Sequence, residues 1–209
     1  MSLDFSIEEV SDKLSNTMYV KYGVELSSCY ASCATELILE IKKLPVSKGK
    51  SFYLLADQVF GDCCVDFLSA RTLSLECILH FGDSCFTKYD DPIPLMYFLP
   101  RKVVDIEQLS KRVLEACDPN KWNVIIPECG ILHLQEQLKE KIKNDKVVFP
   151  IKDATYNKTI MGRNYMIEGV VENMVLIYIG ENDKMLEPLI WTYGAKNAVI
   201  LIYTFRLFV

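Results

Sequence analysis

Ser51-Phe-Tyr-Leu-Leu-Ala-Asp-Gln-Val-Phe-Gly-Asp-Cys-Cys-Val-Asp66, followed by Glu76-Cys-Ile-Leu-His-Phe-Gly-Asp-Ser-Cys85, decides the fold. The apolar run 51–56 reads as a buried strand, 64–73 as a helix and 76–81 as the next strand, which makes a β-α-β unit. In a right-handed crossover the two strands lie parallel and close together, so the loops leaving their carboxyl ends open on one edge of the sheet. Sheets of this kind bind ligands at that edge. Cys63, Cys64 and Cys85 all sit in those loops, each beside a Gly-Asp pair.

Outward from this unit the chain keeps alternating strands and helices. Residues 34–44 place Leu37, Ile38, Ile41 and Leu44 at helical spacing and stop at Pro45. Residues 95–99 read as a strand ended by Pro100. Asp105 with Gln108 resembles a capping box, ahead of an apolar stripe of Ile106, Leu109, Val113, Leu114 and Cys117. Strands are predicted at 122–126, 146–151, 174–179 and 198–204, with helices at 131–142, where Leu134 and Leu138 face inward, and at 186–193. Residues 153–165 read as a loop. Seven strands separated mostly by helices give an α/β chain of two small, similar domains, 1–103 and 104–209, each a parallel sheet covered by helices. The recurrent strand-loop-helix rhythm suggests an internal repeat, although the two halves do not align by residue identity.

The chain has 209 residues, half of them apolar, a net charge of -5 and eight cysteines. That composition supports a buried core and argues against a surface built to grip nucleic-acid phosphates. Residues 1–15 carry Asp4, Glu8, Glu9 and Asp12 and lack the apolar centre of a secretory signal. No apolar run approaches the roughly 18 residues of a membrane span. A cytoplasmic location with reduced thiols is expected, so metal ligation or plain burial outranks a disulfide framework.

Taken singly, the cysteines divide into two groups. Cys29 and Cys33 are four apart, on one face if helical, and are expected in the core together with Cys77 and Cys117. Cys129 follows a strand end with no further support for a role. Cys63, Cys64 and Cys85 differ by their position at the ligand-binding edge, where three sulfurs suit a soft metal or an iron-sulfur cluster. A nucleophilic Cys85 assisted by His80 is the rival arrangement. Strand alternation does not carry His80 toward Cys85, and a satisfied strand-end histidine is its plainer reading. His133 is assigned to a solvated helix face. Asp62, Asp66 and Asp83 flank the thiols and disfavour thiolates unless a cation or cluster offsets them.

The stretch Leu55-Ala-Asp-Gln-Val-Phe-Gly-Asp-Cys-Cys-Val-Asp66, with Ala70-Arg71 and Ile78-Leu-His-Phe-Gly-Asp-Ser-Cys85, resembles the first domain of the diphthamide synthesis family, the 2-(3-amino-3-carboxypropyl)histidine synthases. The family has two paralogous subunits, and the catalytic first one carries a middle-domain cysteine in a Gly-Cys-Thr type motif. Here the matching region reads Ile160-Met-Gly-Arg-Asn-Tyr165, without cysteine. Together with 175–181 and 186–192 this is similar to the second subunit.

The resemblance implies three similar α/β domains, each giving one cysteine to a central four-iron, four-sulfur (4Fe-4S) cluster. That cluster reductively cleaves S-adenosylmethionine, and the resulting 3-amino-3-carboxypropyl radical adds to a histidine of translation elongation factor 2, the first step of diphthamide biosynthesis. In the heterodimer the first subunit is catalytic and the second supports reduction of its cluster, with electrons from a donor protein. Carried onto this chain, the resemblance makes Cys64, ahead of its neighbour Cys63, and Cys85 the metal ligands. No direct contact with nucleic acid or membrane is implied. The family's third domain would follow 198–204, yet the sequence ends at Val209, so a cluster-free scaffold subunit of the same complex is the competing expectation.

Overall fold

The computed structural model describes residues 5–56, 63–84, 89–149 and 174–180, with the backbone alone at 159–160, 163–164 and 198–202. The chain divides into two units, Met1–Arg101 and Lys102–Val209. The first runs α1 (Ile7–Ser15), β1 (Lys21–Leu26), a 3-10 helix (Ser28–Cys33), α2 (Ala34–Lys43), β2 (Ser51–Leu55), α3 (Phe67–Thr72), β3 (Cys77–Phe81) and β4 (Leu95–Phe98). The second runs α4 (Ile106–Ala116), β5 (Trp122–Pro127), a 3-10 helix (Cys129–Leu134), α5 (Gln135–Lys141), β6 (Val147–Val148), β7 (Thr159–Ile160), β8 (Arg163–Asn164), β9 (Met174–Gly180) and β10 (Ala198–Ile202).

Both large sheets are parallel throughout. Their orders are β2-β1-β3-β4 and β6-β5-β9-β10, the same arrangement in each unit. The α/β class, with two small parallel sheets and covering helices, is therefore as expected. In the first unit Val10, Leu14, Leu37 and Ile41 from α1 and α2 close one face over Tyr22, Val24 and Leu79. Ala70 of α3 packs with Leu55 and Ile78 in a separate cluster. In the second unit Leu109, Val113 and Leu138 from α4 and α5 pack with Ile125 and Ile177. Each such fully buried aliphatic side chain contributes about 2 kcal/mol of transfer free energy.

The predicted adjacency of the strands at 51–56 and 76–81 is wrong. β1, absent from the predicted strands, lies between them and pairs with both. Gly23 and Glu25 break its apolar pattern, and each has a local cause. A Cβ on Gly23 would stand 2.8 Å from a Leu75 methyl carbon and 3.0 Å from one of Leu55, so glycine leaves room for these two side chains. Glu25 is buried as a hydrogen-bonding group.

Other boundaries shift for identifiable reasons. The helix predicted at 64–73 begins only at Phe67, because Asp66 takes the N-cap and accepts from Ser69 N–H at 2.9 Å. The helix predicted at 131–142 is divided into the 3-10 helix Cys129–Leu134 and α5. The strand predicted at 146–151 is the two-residue β6. Within the predicted loop 153–165, β7 and β8 form an antiparallel ladder. The predicted helix at 186–193 lies outside the described residues.

Two core assignments also change. Cys29 is exposed while Cys33 is buried. They occupy a 3-10 helix, whose roughly three residues per turn rotate positions four apart onto different faces. Leu114 is exposed as well, because the buried face of α4 is defined by Leu109 and Val113. Cys77 is fully buried, Cys117 half-buried, and Cys129 buried. Among the described residues no helix is long and apolar enough to cross a membrane.

Candidate metal-binding edge of the first sheet

The carboxyl ends of β1, β2 and β3 open on one edge of the first sheet because all three strands are parallel. Cys63 and Cys64 follow β2 and stand just before the Asp66 cap of α3; both are half-buried. Cys85 lies outside the described residues. Gly82, which begins the segment leading to it, has φ +132°, and a Cβ there would stand 2.0 Å from Ser27 Oγ. Only glycine meets both demands. Ser27 in turn ties two strand ends together: its N–H donates to Phe81 O at 2.9 Å and its Oγ accepts from Asp83 N–H at 3.1 Å.

Beneath this edge lies a buried polar chain. Glu25, 1% exposed, accepts the Asp66 N–H on Oε1 at 3.1 Å. Its Oε2 is 2.9 Å from Nδ1 of His80, and His80 Nε2 is 2.9 Å from the carbonyl oxygen of Asp83. The His80 ring is fully buried and meets Tyr97 edge-on at 5.5 Å. His80 is thus a satisfied strand-end histidine, with both nitrogens engaged and neither offered to a thiol.

Cys64 lines a cavity of about 520 Å3 together with Phe67, Arg71, Tyr89 and Asp91. Phe67 and Tyr89 pack with ring centroids 5.0 Å apart, and Arg71 is ion-paired to Asp91. Asp66 Oδ2 is buried without a hydrogen-bond partner two residues from Cys64. None of the seven described cysteines is in a disulfide. Two adjacent, partly accessible sulfurs at a sheet edge suit one corner of a thiolate-bound metal group. Among the described residues no three His, Cys, Asp or Glu side chains converge on a single metal position.

The buried thiols elsewhere belong to a different chemistry. Burial pushes the Cys77 thiol up to about 11, and raises that of Cys117. Cys77 is a core residue, as anticipated, and Cys117 packs half-buried against the core of the second unit. Sequence reasoning missed Glu25 and Ser27. A lone acid in the otherwise apolar run Tyr22 to Leu26 was the available signal, since a buried carboxylate requires a partner and His80 is one of only two histidines.

Residues 6–206 match the family described as "Putative diphthamide synthesis protein". The chain is similar to a protein of Cryptococcus neoformans var. neoformans named 2-(3-amino-3-carboxypropyl)histidine synthase subunit 2, at 23% identity over 96% of this chain and 42% of that protein. Proteins of the same name are similar in Schizosaccharomyces pombe, at 25% identity over 67% of this chain and 30% of the relative, and in Homo sapiens, at 31% identity over 46% of this chain and 20% of the relative. The chain spans less than half the length of these relatives. With nearly its whole length matched by the family, the chain belongs to the diphthamide synthesis family, and its likeness is to the second subunit.

Proposed function

We propose that this chain acts as a supporting subunit of a 2-(3-amino-3-carboxypropyl)histidine synthase, which transfers a 3-amino-3-carboxypropyl group from S-adenosylmethionine to a histidine of elongation factor 2. The partners are a catalytic first subunit, the elongation factor and an electron-donor protein. Cys64 is the principal metal ligand, with Cys63 beside it, and Cys85 is the other ligand. A 4Fe-4S cluster, when bound, supplies one-electron chemistry that assists reduction in the catalytic subunit.

The observation that carries this proposal is the half-buried Cys64 thiol on the 520 Å3 cavity at the carboxyl edge of a parallel sheet. The chain's own residues prepare that position. The Asp66 cap fixes where the turn of residues 63–66 enters α3, and Glu25 holds the Asp66 amide from below. The aromatic pair Phe67 and Tyr89 lines the apolar part of the cavity.

The test is anaerobic co-purification with the catalytic first subunit, followed by iron and sulfide analysis. Cys64→Ser and Cys85→Ser are each expected to lose most of the iron assignable to this chain, with the circular dichroism spectrum unchanged. Unaltered iron in both variants overturns the ligand assignment and leaves a cluster-free scaffold as the role of the subunit.

A further inference from the structure

The geometry points to Glu25 as a positioning residue that fixes the separation of the turn at 63–66 from the segment 82–84. It acts through Asp66 on one loop and through His80 and Asp83 on the other. Because β1 lies between β2 and β3, a side chain at its carboxyl end reaches both neighbours. Glu25 uses one oxygen for each: Oε1 for the Asp66 N–H at 3.1 Å, Oε2 for His80 Nδ1 at 2.9 Å. His80 carries the connection onward to Asp83 O at 2.9 Å. The anchors on the two sides stand at Asp66, two residues after Cys64, and Asp83, two residues before Cys85.

The hydrogen-bond inventory fixes the protons of this chain. A backbone carbonyl can only accept, so His80 Nε2 bears a hydrogen. One more proton lies between Nδ1 and Glu25 Oε2, since two bare acceptors would repel at 2.9 Å. The pair carries zero net charge whichever atom holds that proton. Its contribution at the edge is therefore length and direction, not charge.

That distinction makes two conservative substitutions diverge. In Glu25→Gln the amide oxygen still accepts from Asp66 N–H, and the amide nitrogen donates to Nδ1 of a neutral His80. Every bond and the net charge are kept. Glu25→Asp keeps the carboxylate but is one methylene shorter and reaches only one loop. A clamp therefore tolerates glutamine and fails with aspartate, whereas a group acting through its negative charge shows the reverse order.

The inference rests on the proposed ligand role of Cys64, and two readouts separate the failure of either. The first is hydrogen exchange of the full chain without iron, compared at 64–67, at 82–84 and in the core strands. Glu25→Asp is expected to speed exchange at one or both loop anchors by about tenfold or more, with β1 and β3 amides unchanged, and Glu25→Gln to match wild type. The second is iron titration of the co-purified complex, where Glu25→Asp is expected to lower affinity by about tenfold or more and Glu25→Gln to leave it intact. Loss of loop protection in Glu25→Gln with retention in Glu25→Asp overturns the clamp, as does uniform loss over the whole sheet. Wild type that binds no iron while the exchange pattern holds overturns the ligand role and leaves the clamp standing.

Discussion

Cys77 shows what burial does to a thiol in this chain. Its pKa is pushed up to about 11 by desolvation, from an ordinary 9.0, with a weaker lowering from the Ile78 backbone and Lys50. The folded value exceeds the unfolded one, so the neutral thiol's contribution to stability is complete below pH 9 and is lost as pH rises toward 11. Wild type should therefore lose about 1 to 2 kcal/mol more than Cys77→Ala over that range, measured by urea unfolding at a series of pH values. Equal losses in the two proteins contradict the burial assignment. The residue types of the edge were legible in the sequence, because a Cys-Cys pair and a Gly-Asp-Ser-Cys segment stand out. Glu25 was not, because an acid in a strand becomes informative only once the strand beside it, with His80, is known.

At the level of elements, caps set boundaries more sharply than hydrophobic periodicity does. Asp105 accepts from the N–H groups of Glu107 and Gln108 at 3.0 and 3.1 Å, and α4 starts where the sequence motif places it. Asp105→Ala should cost about 1 kcal/mol of unfolding free energy, and Asp105→Asn much less; denaturant titration distinguishes them. Asp66 does the same for α3 and cuts three residues from a helix that periodicity alone would begin at Cys64. The 3-10 helices after β1 and β5 were illegible for a different reason. Apolar residues three or four apart fit either kind of helix, so the exposure of Cys29 could not be read from its spacing to Cys33.

On the scale of the whole molecule, the same strand order is built twice, with equivalent residues in equivalent roles. Ser27 N–H donates to Phe81 O at 2.9 Å, and Glu128 N–H donates to Ile179 O at 2.9 Å. Gly82 is crowded by Ser27 Oγ, and Gly180 by a carboxylate oxygen of Glu128 at 2.6 Å from an added Cβ. Sequence rhythm suggested the repeat, but the two units share sterics at these points while differing in chemistry, Ser27 in one and the Lys102-paired Glu128 in the other. That is why identity could not align them. Gly82→Ala should cost about 2 to 4 kcal/mol, since it adds backbone strain to the clash. Gly180→Ala should cost less, because its φ lies outside the left-handed region and only contacts resist it. Chemical denaturation of both variants checks the order.

The position of β1 between the strands that precede residues 63–66 and 82–84 also has a thermodynamic side. A carboxylate that grips both loops makes their conformational equilibria interdependent, so order gained at one is transmitted to the other. Linkage makes that transmission equal in both directions. A ligand captured first by the turn of residues 63–66 would therefore find the 82–84 side already organised, and capture in the opposite sequence would gain the same free energy.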